Sequence, residues 1–259
     1  MSETGIISRS LLTLCVSAAL LAANPAAAPV NRSQAKQSLI QMPLRFEANR
    51  GQTDASVKFI ARGPGYTMLL ADREAVLNLR GGAVRMKLLG AGSPASARGL
   101  DQLRGVSNYL IGNDASKWRT EIPAYARVAF DGVYPGIDLV YYGSQRKLEY
   151  DFVVAPGADP GRIRLEFEGA RKLSVNSSGD LVIDGPEGEI RQHAPVIYQE
   201  IGGTRKRVEG RYEIERSRQV SFHLASYDKK RTLVIDPKLS YSTYIGSSAD
   251  DGIFDIAVD

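Results

Sequence analysis

The chain has 259 residues, with 33 Lys and Arg against 29 Asp and Glu, two His, one Cys and a formal net charge of +4. The single cysteine, Cys15, lies in an apolar N-terminal run, so the rest of the chain has no thiol for a disulfide, a thiolate metal site or a cysteine nucleophile. The mild positive charge is interleaved with acids, and Arg205-Lys206-Arg207 and Lys229-Lys230-Arg231 read as solvated strand edges or turns, which argues against nucleic acid as a partner.

In chain order, Arg9 precedes the apolar run Leu11 to Ala23, and small residues follow through Ala28. This is the pattern of a secretory signal peptide, too short to span a bilayer. Residues 1–28 are therefore assigned to export, with cleavage after Ala28 or after Ala23. No second apolar stretch is long enough to cross a membrane, so no transmembrane segment is expected in the mature chain. It is destined for the periplasm, the cell surface or the medium. Residues 29–43 are polar and Gln-rich and read as a flexible leader.

Short strands follow at Val57 to Arg62, Tyr66 to Ala71, Ala75 to Arg80 and Ala83 to Leu89, the last two joined by Gly81-Gly82 as a hairpin signal. Gly90 to Arg104, rich in Gly, Ala and Ser, reads as a loop or domain joint. Tyr134 to Val154 is the clearest hairpin. Pro135-Gly136 suits a type II turn, because proline presets its φ and glycine accepts the positive φ that follows. With Ser144 and Gln145 at the loop centre, Ile137 faces Phe152, Leu139 faces Tyr150 and Tyr141 faces Leu148. One face is then apolar, and Asp138, Tyr142, Lys147, Glu149 and Asp151 share the other.

After the turn cluster Ala155 to Gly161, further strands are expected at Ile163 to Phe167, Leu173 to Val175, Leu181 to Asp184, Glu189 to His193, Val196 to Ile201, Val208 to Glu215, Val220 to Leu224 and Leu233 to Ile235. This density of short strands with turn chemistry between them predicts an all-β, antiparallel, β-sandwich-like domain or a barrel over residues 44–237. Val84 to Ala91 echoes Ile163 to Ala170, which suggests two β subdomains divided near residue 120.

Several ordered motifs resemble one family. They are Phe46 to Gln52, Gly63-Pro64-Gly65-Tyr66, Ser107 to Gly112, Trp118-Arg119, Val133 to Gly143, Leu148 to Phe152 and Leu233 to Pro237. Together they are similar to the N-terminal domain of unknown function found in bacterial exported proteins ahead of SBBP repeats, which build seven-bladed β-propellers. Leu239 to Gly246 and Asp250 to Asp259 look like the opening of the first such repeat, so residues 238–259 are expected to begin a truncated propeller blade. The resemblance implies an extracytoplasmic module, with a C-terminal propeller as partner in a longer chain. It carries over no catalytic residue.

Candidate chemistry is sparse. In the hairpin register above, Asp138 and Asp151 lie directly opposite, a separation that would suit a retaining glycosidase or a calcium ion. The competing reading is neutralisation by Lys147, Arg146 or other arginines. Tyr142 and Glu149 share that face and complete the ligand-binding candidates, while Tyr141 and Tyr150 belong to the core. Asp250, Asp251 and Asp255 lack EF-hand spacing. His193 and His223 lack zinc spacing, no nucleophile elbow exists, and no glycine pair forms a P-loop. No catalytic residue, metal or cofactor is assigned. The expected function is a non-enzymatic module for surface structure, adhesion or assembly, with a surface glycan or protein as ligand. A polysaccharide-binding or polysaccharide-hydrolysing domain using paired carboxylates is the alternative.

Overall fold

The computed structural model of the protein describes residues 44–63, 65–144 and 147–241. The expected signal peptide, leader and propeller opening from residue 242 onward lie outside the described residues, as do Arg146 and the aspartates at 250, 251 and 255.

The described chain is almost entirely antiparallel strand. In order these are β1 (Phe46–Ala48), β2 (Val57–Gly63), β3 (Tyr66–Ala71), β4 (Glu74–Leu79), β5 (Gly82–Leu88), β6 (Ser96–Tyr109), β7 (Arg119–Tyr134), β8 (Ile137–Ser144) and β9 (Lys147–Val154). There follow β10 (Leu165–Glu168), β11 (Lys172–Val175), β12 (Leu181–Gly185), β13 (Gly188–Gln192), β14 (Val196–Ile201), β15 (Thr204–Val208), β16 (Gly210–Arg216), β17 (Gln219–Leu224), β18 (Leu233–Asp236) and β19 (Leu239–Tyr241). Two 3-10 turns, Ala115–Lys117 and Pro160–Arg162, are the helical elements among the described residues.

One long sheet runs β15-β14-β18-β9-β8-β7-β1-β2-β3-β4-β5-β10-β17-β16, with β6 paired to β7 off this path. Its two ends, β15 and β16, are separated in the chain by Glu209 alone, so the sheet curls into a nearly closed barrel. Gly210 allows that approach, since a Cβ there would stand 2.4 Å from Ile197 of β14. The end strand β15 exposes Arg205, Lys206 and Arg207, the charged edge expected from their sequence.

Along most strands every second residue points inward, and these side chains build one core. Edge-to-face and tilted ring contacts run from Tyr125 through Phe59, Phe130, Tyr141, Tyr150, Phe152 and Phe222 to Tyr212. Each such pair adds roughly 0.5–1.5 kcal/mol to the stabilisation from area burial. A second sheet, β11-β12-β13-β19, contributes Leu173, Leu181, Ile183 and Ile190 to the same core cluster. Between the two sheets a cavity of about 40 Å³ remains, lined by Met68, Leu77, Met86, Tyr141, Ile183 and Ile190 among others. It is water-sized and apolar, and among the described residues the side chains around it pack as core.

The central hairpin forms from the expected residues, with Gly136 at φ +72 in the turn. Its register is displaced by two. Tyr141 faces Tyr150, Leu139 faces Phe152, Ile137 faces Val154, and Ser144 pairs with Lys147 to close it. Asp138 therefore stands opposite Val153, and Asp151 opposite Val140, which corrects the expectation that the two acids face each other. Side chains alternate with period two, so a slip of two leaves every residue on its own face. The apolar pattern determines the parity of the register and leaves its exact value to the loop.

Two further differences are instructive. The stretch read as a loop, Gly90 to Arg104, contains the first part of β6, a strand of fourteen residues without one buried side chain, which explains why no apolar alternation announces it. Val84 to Leu88 and Leu165 to Phe167, the echoing stretches, are neighbouring strands in one sheet, with Met86 opposite Phe167.

Candidate functional site

Beyond that small cavity, an outward face of the sheet offers space for a ligand. The outer faces of β7, β8, β9, β18, β14 and β15 form an open groove of about 450 Å³. That volume lies within the roughly 300–1,000 Å³ usual for small-molecule sites. Strand alternation places its residues. Tyr141 and Tyr150 point into the core, so Tyr142, Glu149 and Asp151 point out, with Tyr142 paired to Glu149 across the ladder.

Strand β18 pairs with β9 through Val234↔Val153 and Ile235↔Phe152, and one step further along this register Asp236 comes opposite Asp151. The sheet thus does set two carboxylates opposite each other, but the partner of Asp151 is Asp236. The Tyr142 hydroxyl lies between them, donating to Asp151 Oδ1 at 2.9 Å and standing 3.4 Å from Asp236 Oδ1. The two oxygens are thus no farther apart than these contacts laid end to end. Asp236 is 8% exposed and Glu149 9%, so water does little to dilute the charge of either.

Burial first, then the negative charges of Asp236 and Glu149, push the Asp151 carboxyl up to about 6, against the opposing pull of the Tyr142 hydrogen bond and Arg205. Burial also raises Asp236, partly offset by Lys238, the Tyr142 hydrogen bond and Arg205. The Tyr142 phenol is driven far up by burial and by the carboxylates around it, so it stays a hydrogen-bond donor at every physiological pH.

Cations complete the groove. Lys238 follows β18 and bridges in backbone to Glu149. Arg205 on β15 lies over the Tyr198 ring, its guanidinium carbon 4.3 Å from the ring centroid. Arg127 on β7, opposite Tyr142, is held by Asp101 at 2.6 Å. The floor therefore offers carboxylate acceptors held by the Tyr142 hydroxyl, the rim offers cationic donors, and Tyr198 offers part of an aromatic surface. Among the described residues, no group of three or more His, Asp or Glu is arranged to hold a metal ion.

Of the four residues singled out from sequence, Tyr142, Glu149 and Asp151 line this groove. Asp138 does not. Its Oδ1 accepts the Gly132 N–H at 2.7 Å, fastening the irregular stretch of β7 before the turn. Sequence reasoning missed Asp236, Tyr198, Arg205, Lys238 and Arg127 as members of the site. The available signal was Asp236 itself, an acid closing the otherwise apolar strand Leu233-Val234-Ile235. His193 and His223 are half-exposed strand-end and strand residues outside the groove.

No curated protein and no solved structure matches the chain. Residues 46–238, which include every residue lining the groove, match the family described as a domain of unknown function (DUF7948), and the chain belongs to that family.

Proposed function

We propose that this domain is a non-enzymatic binding module of an exported protein, holding a glycan in the outer groove and preceding a β-propeller. The observation that carries the reading is the groove itself, with buried carboxylates, a phenol donor fixed between two of them and cations around the rim. A sugar presents hydroxyls that both donate and accept, together with apolar ring faces. Carboxylates accept from such hydroxyls, arginine and lysine donate to them, and a tyrosine face stacks on the ring. Export is supported by the signal-peptide pattern of residues 1–28. Placement ahead of a propeller rests on the resemblance of residues 44–237 and 238–259 to SBBP-repeat proteins.

Titration of a panel of neutral, amino and acidic oligosaccharides by calorimetry tests this reading. Saturable binding should be weakened at least about tenfold by Tyr142→Phe or Asp236→Asn, since each removes a polar partner worth about 1.5–3 kcal/mol when charge-assisted. Binding that neither substitution alters would place the ligand elsewhere.

One observation favours a second reading. A carboxyl near 6 beside another carboxyl is the arrangement used for general acid–base work, so Asp151 and Asp236 would be the pair in a polysaccharide-hydrolysing domain. Turnover of any panel member, abolished by Asp151→Asn with binding retained, would establish hydrolysis over binding alone.

A further inference from the structure

The β6–β7 hairpin is the longest ribbon among the described residues, and none of them packs over the apolar side chains at its end. Tyr109 pairs with Arg119 as the last rung, and residues 110–118 beyond it are exposed without interruption. Of six large apolar residues exposed among the described residues, four are here: Val106 at 49%, Leu110 at 58%, Ile111 at 74% and Trp118 at 38%. Their concentration at one tip, when isolated exposed apolar residues are ordinary on any surface, marks an interaction site.

The tip is held in place. Glu47 on β1 accepts from Arg62 at 2.9 Å and from the hydroxyls of Ser107 and Tyr109, which fastens the hairpin to the barrel just below its end. Trp118 donates its indole N–H to the Gly112 carbonyl at 3.0 Å, fixing the ring across the loop it closes. Asp114 caps the 3-10 turn by accepting from the Ser116 N–H at 3.0 Å. Cations lie at this end: Lys117 within the loop, Arg119 at the closing rung, and the turn after β1 with Arg50, where Gly51 lies against Arg119. The acids of the same end are Glu47, Asp54, Asp114 and Glu121; Glu47 is paired with Arg62 at 2.9 Å and Asp114 with Lys117 at 3.6 Å. Arg45, whose Nη2 donates to Gly105 O at 3.3 Å, adds a further cation below the tip.

From this geometry we infer that the β6–β7 tip docks on an anionic lipid surface, with Leu110, Ile111 and Trp118 entering the interface and Lys117, Arg119 and Arg50 facing the headgroups. Tryptophan suits the boundary between hydrocarbon and water because its ring is apolar and its N–H polar. Basic side chains beside an apolar insertion add roughly 1 kcal/mol each on an anionic surface. A rigid ribbon also presents these side chains without the ordering cost of a mobile loop.

Trp118 is the only tryptophan in the chain, so its fluorescence reports on the tip alone, and the apolar run of residues 11–23 cannot contribute. The full chain is mixed with phosphatidylglycerol-containing vesicles, with vesicles of phosphatidylcholine alone, and with both types carrying brominated acyl chains. The inference expects a blue shift of Trp118 emission and quenching by brominated lipid in the anionic vesicles, stronger than in the neutral ones. Ile111→Asp should weaken vesicle partitioning about tenfold or more, since a charge replaces apolar area at the interface. Lys117→Glu should weaken binding to anionic vesicles while leaving the far-ultraviolet dichroism unchanged. Absence of quenching, quenching unaffected by Ile111→Asp, or a blue shift that follows protein concentration without vesicles would overturn it. The last result would indicate that a second copy covers the tip.

Discussion

Asp151 and Asp236 stand opposite each other on β9 and β18, with the Tyr142 hydroxyl 2.9 Å from one and 3.4 Å from the other. Facing like charges on adjacent strands disfavour a sheet. Here burial compounds the cost by withholding the solvent that would screen them.

The pair makes stability depend on pH. The folded-state carboxyl of Asp151, at about 6, lies above its ordinary value of 3.8. A raised carboxylate pKa means the folded state binds the proton more tightly than the unfolded chain. The destabilisation is therefore absent below about pH 4, develops between about 4 and 6, and is complete above that window. Asp151→Asn keeps the shape and the acceptor for Tyr142 but removes the charge. Urea unfolding should show the variant more stable than wild type by about 1–2 kcal/mol at pH 8, after discounting for partial solvent exposure, and equal to it near pH 4.

The causes of the Asp151 shift carry opposite signs and can be separated. Removing the neighbouring charge by Asp236→Asn should move the Asp151 titration midpoint down from about 6. Removing the hydrogen bond by Tyr142→Phe should move it up, because that bond favours the ionised form. Carboxyl carbon shifts followed by NMR across pH 3 to 9 would read both. Identical midpoints in the two variants would mean that burial alone holds the proton.

A polar joint inside the core has a readable removal. Tyr150 donates to Gln192 Oε1 at 3.1 Å, and the two residues are 1% exposed. Tyr150→Phe leaves the glutamine acceptor dry and unsatisfied, at a cost of about 1–3 kcal/mol in chemical denaturation. Pairing it with Gln192→Leu should recover part of that loss, since replacing both partners with apolar groups removes the orphaned acceptor.

The buried acid Asp180 behaves in the opposite sense to Asp151. Asp180 accepts from the Ala194 N–H at 2.9 Å and from the Asn176 amide at 3.3 Å, tying the turn between β11 and β12 to the end of β13. Burial acts to raise its carboxyl, but these hydrogen bonds and the charges of His193 and Arg191 outweigh it and hold the carboxyl below 3.8. A depressed carboxylate pKa stabilises the fold above the unfolded value, and that stabilisation is lost as pH falls through the folded one. Asp180→Asn should therefore cost about 1 kcal/mol at pH 7, with the deficit shrinking below pH 4 in thermal melts.

The opposite fates of two stretches show what local pattern can carry. The β8–β9 hairpin was legible to the face of each residue because its alternation is clean and its turn carries Pro135-Gly136. Its register was not, since Tyr141 opposite Tyr150 and Tyr141 opposite Leu148 leave the same residues inside. Strand β6 was invisible because it buries no side chain and so shows no period. Three groove residues, Tyr142, Glu149 and Asp151, followed from the outward face of the hairpin. Asp236 and Tyr198 did not, because they reach the groove by pairing of β18 with β9 and of β14 with β18. The acid closing Leu233-Val234-Ile235 marks Asp236 as unusual, but which strand it faces is set by pairing across a long separation in the chain.

The most direct test of the groove as the binding site is amide and methyl chemical-shift mapping of the labelled protein with an oligosaccharide from the panel. Shifts confined to Tyr142, Glu149, Asp151, Tyr198, Asp236 and their strand neighbours, and lost in Tyr142→Phe, are the predicted result. Shifts centred on another face, or none with any panel member, would contradict it.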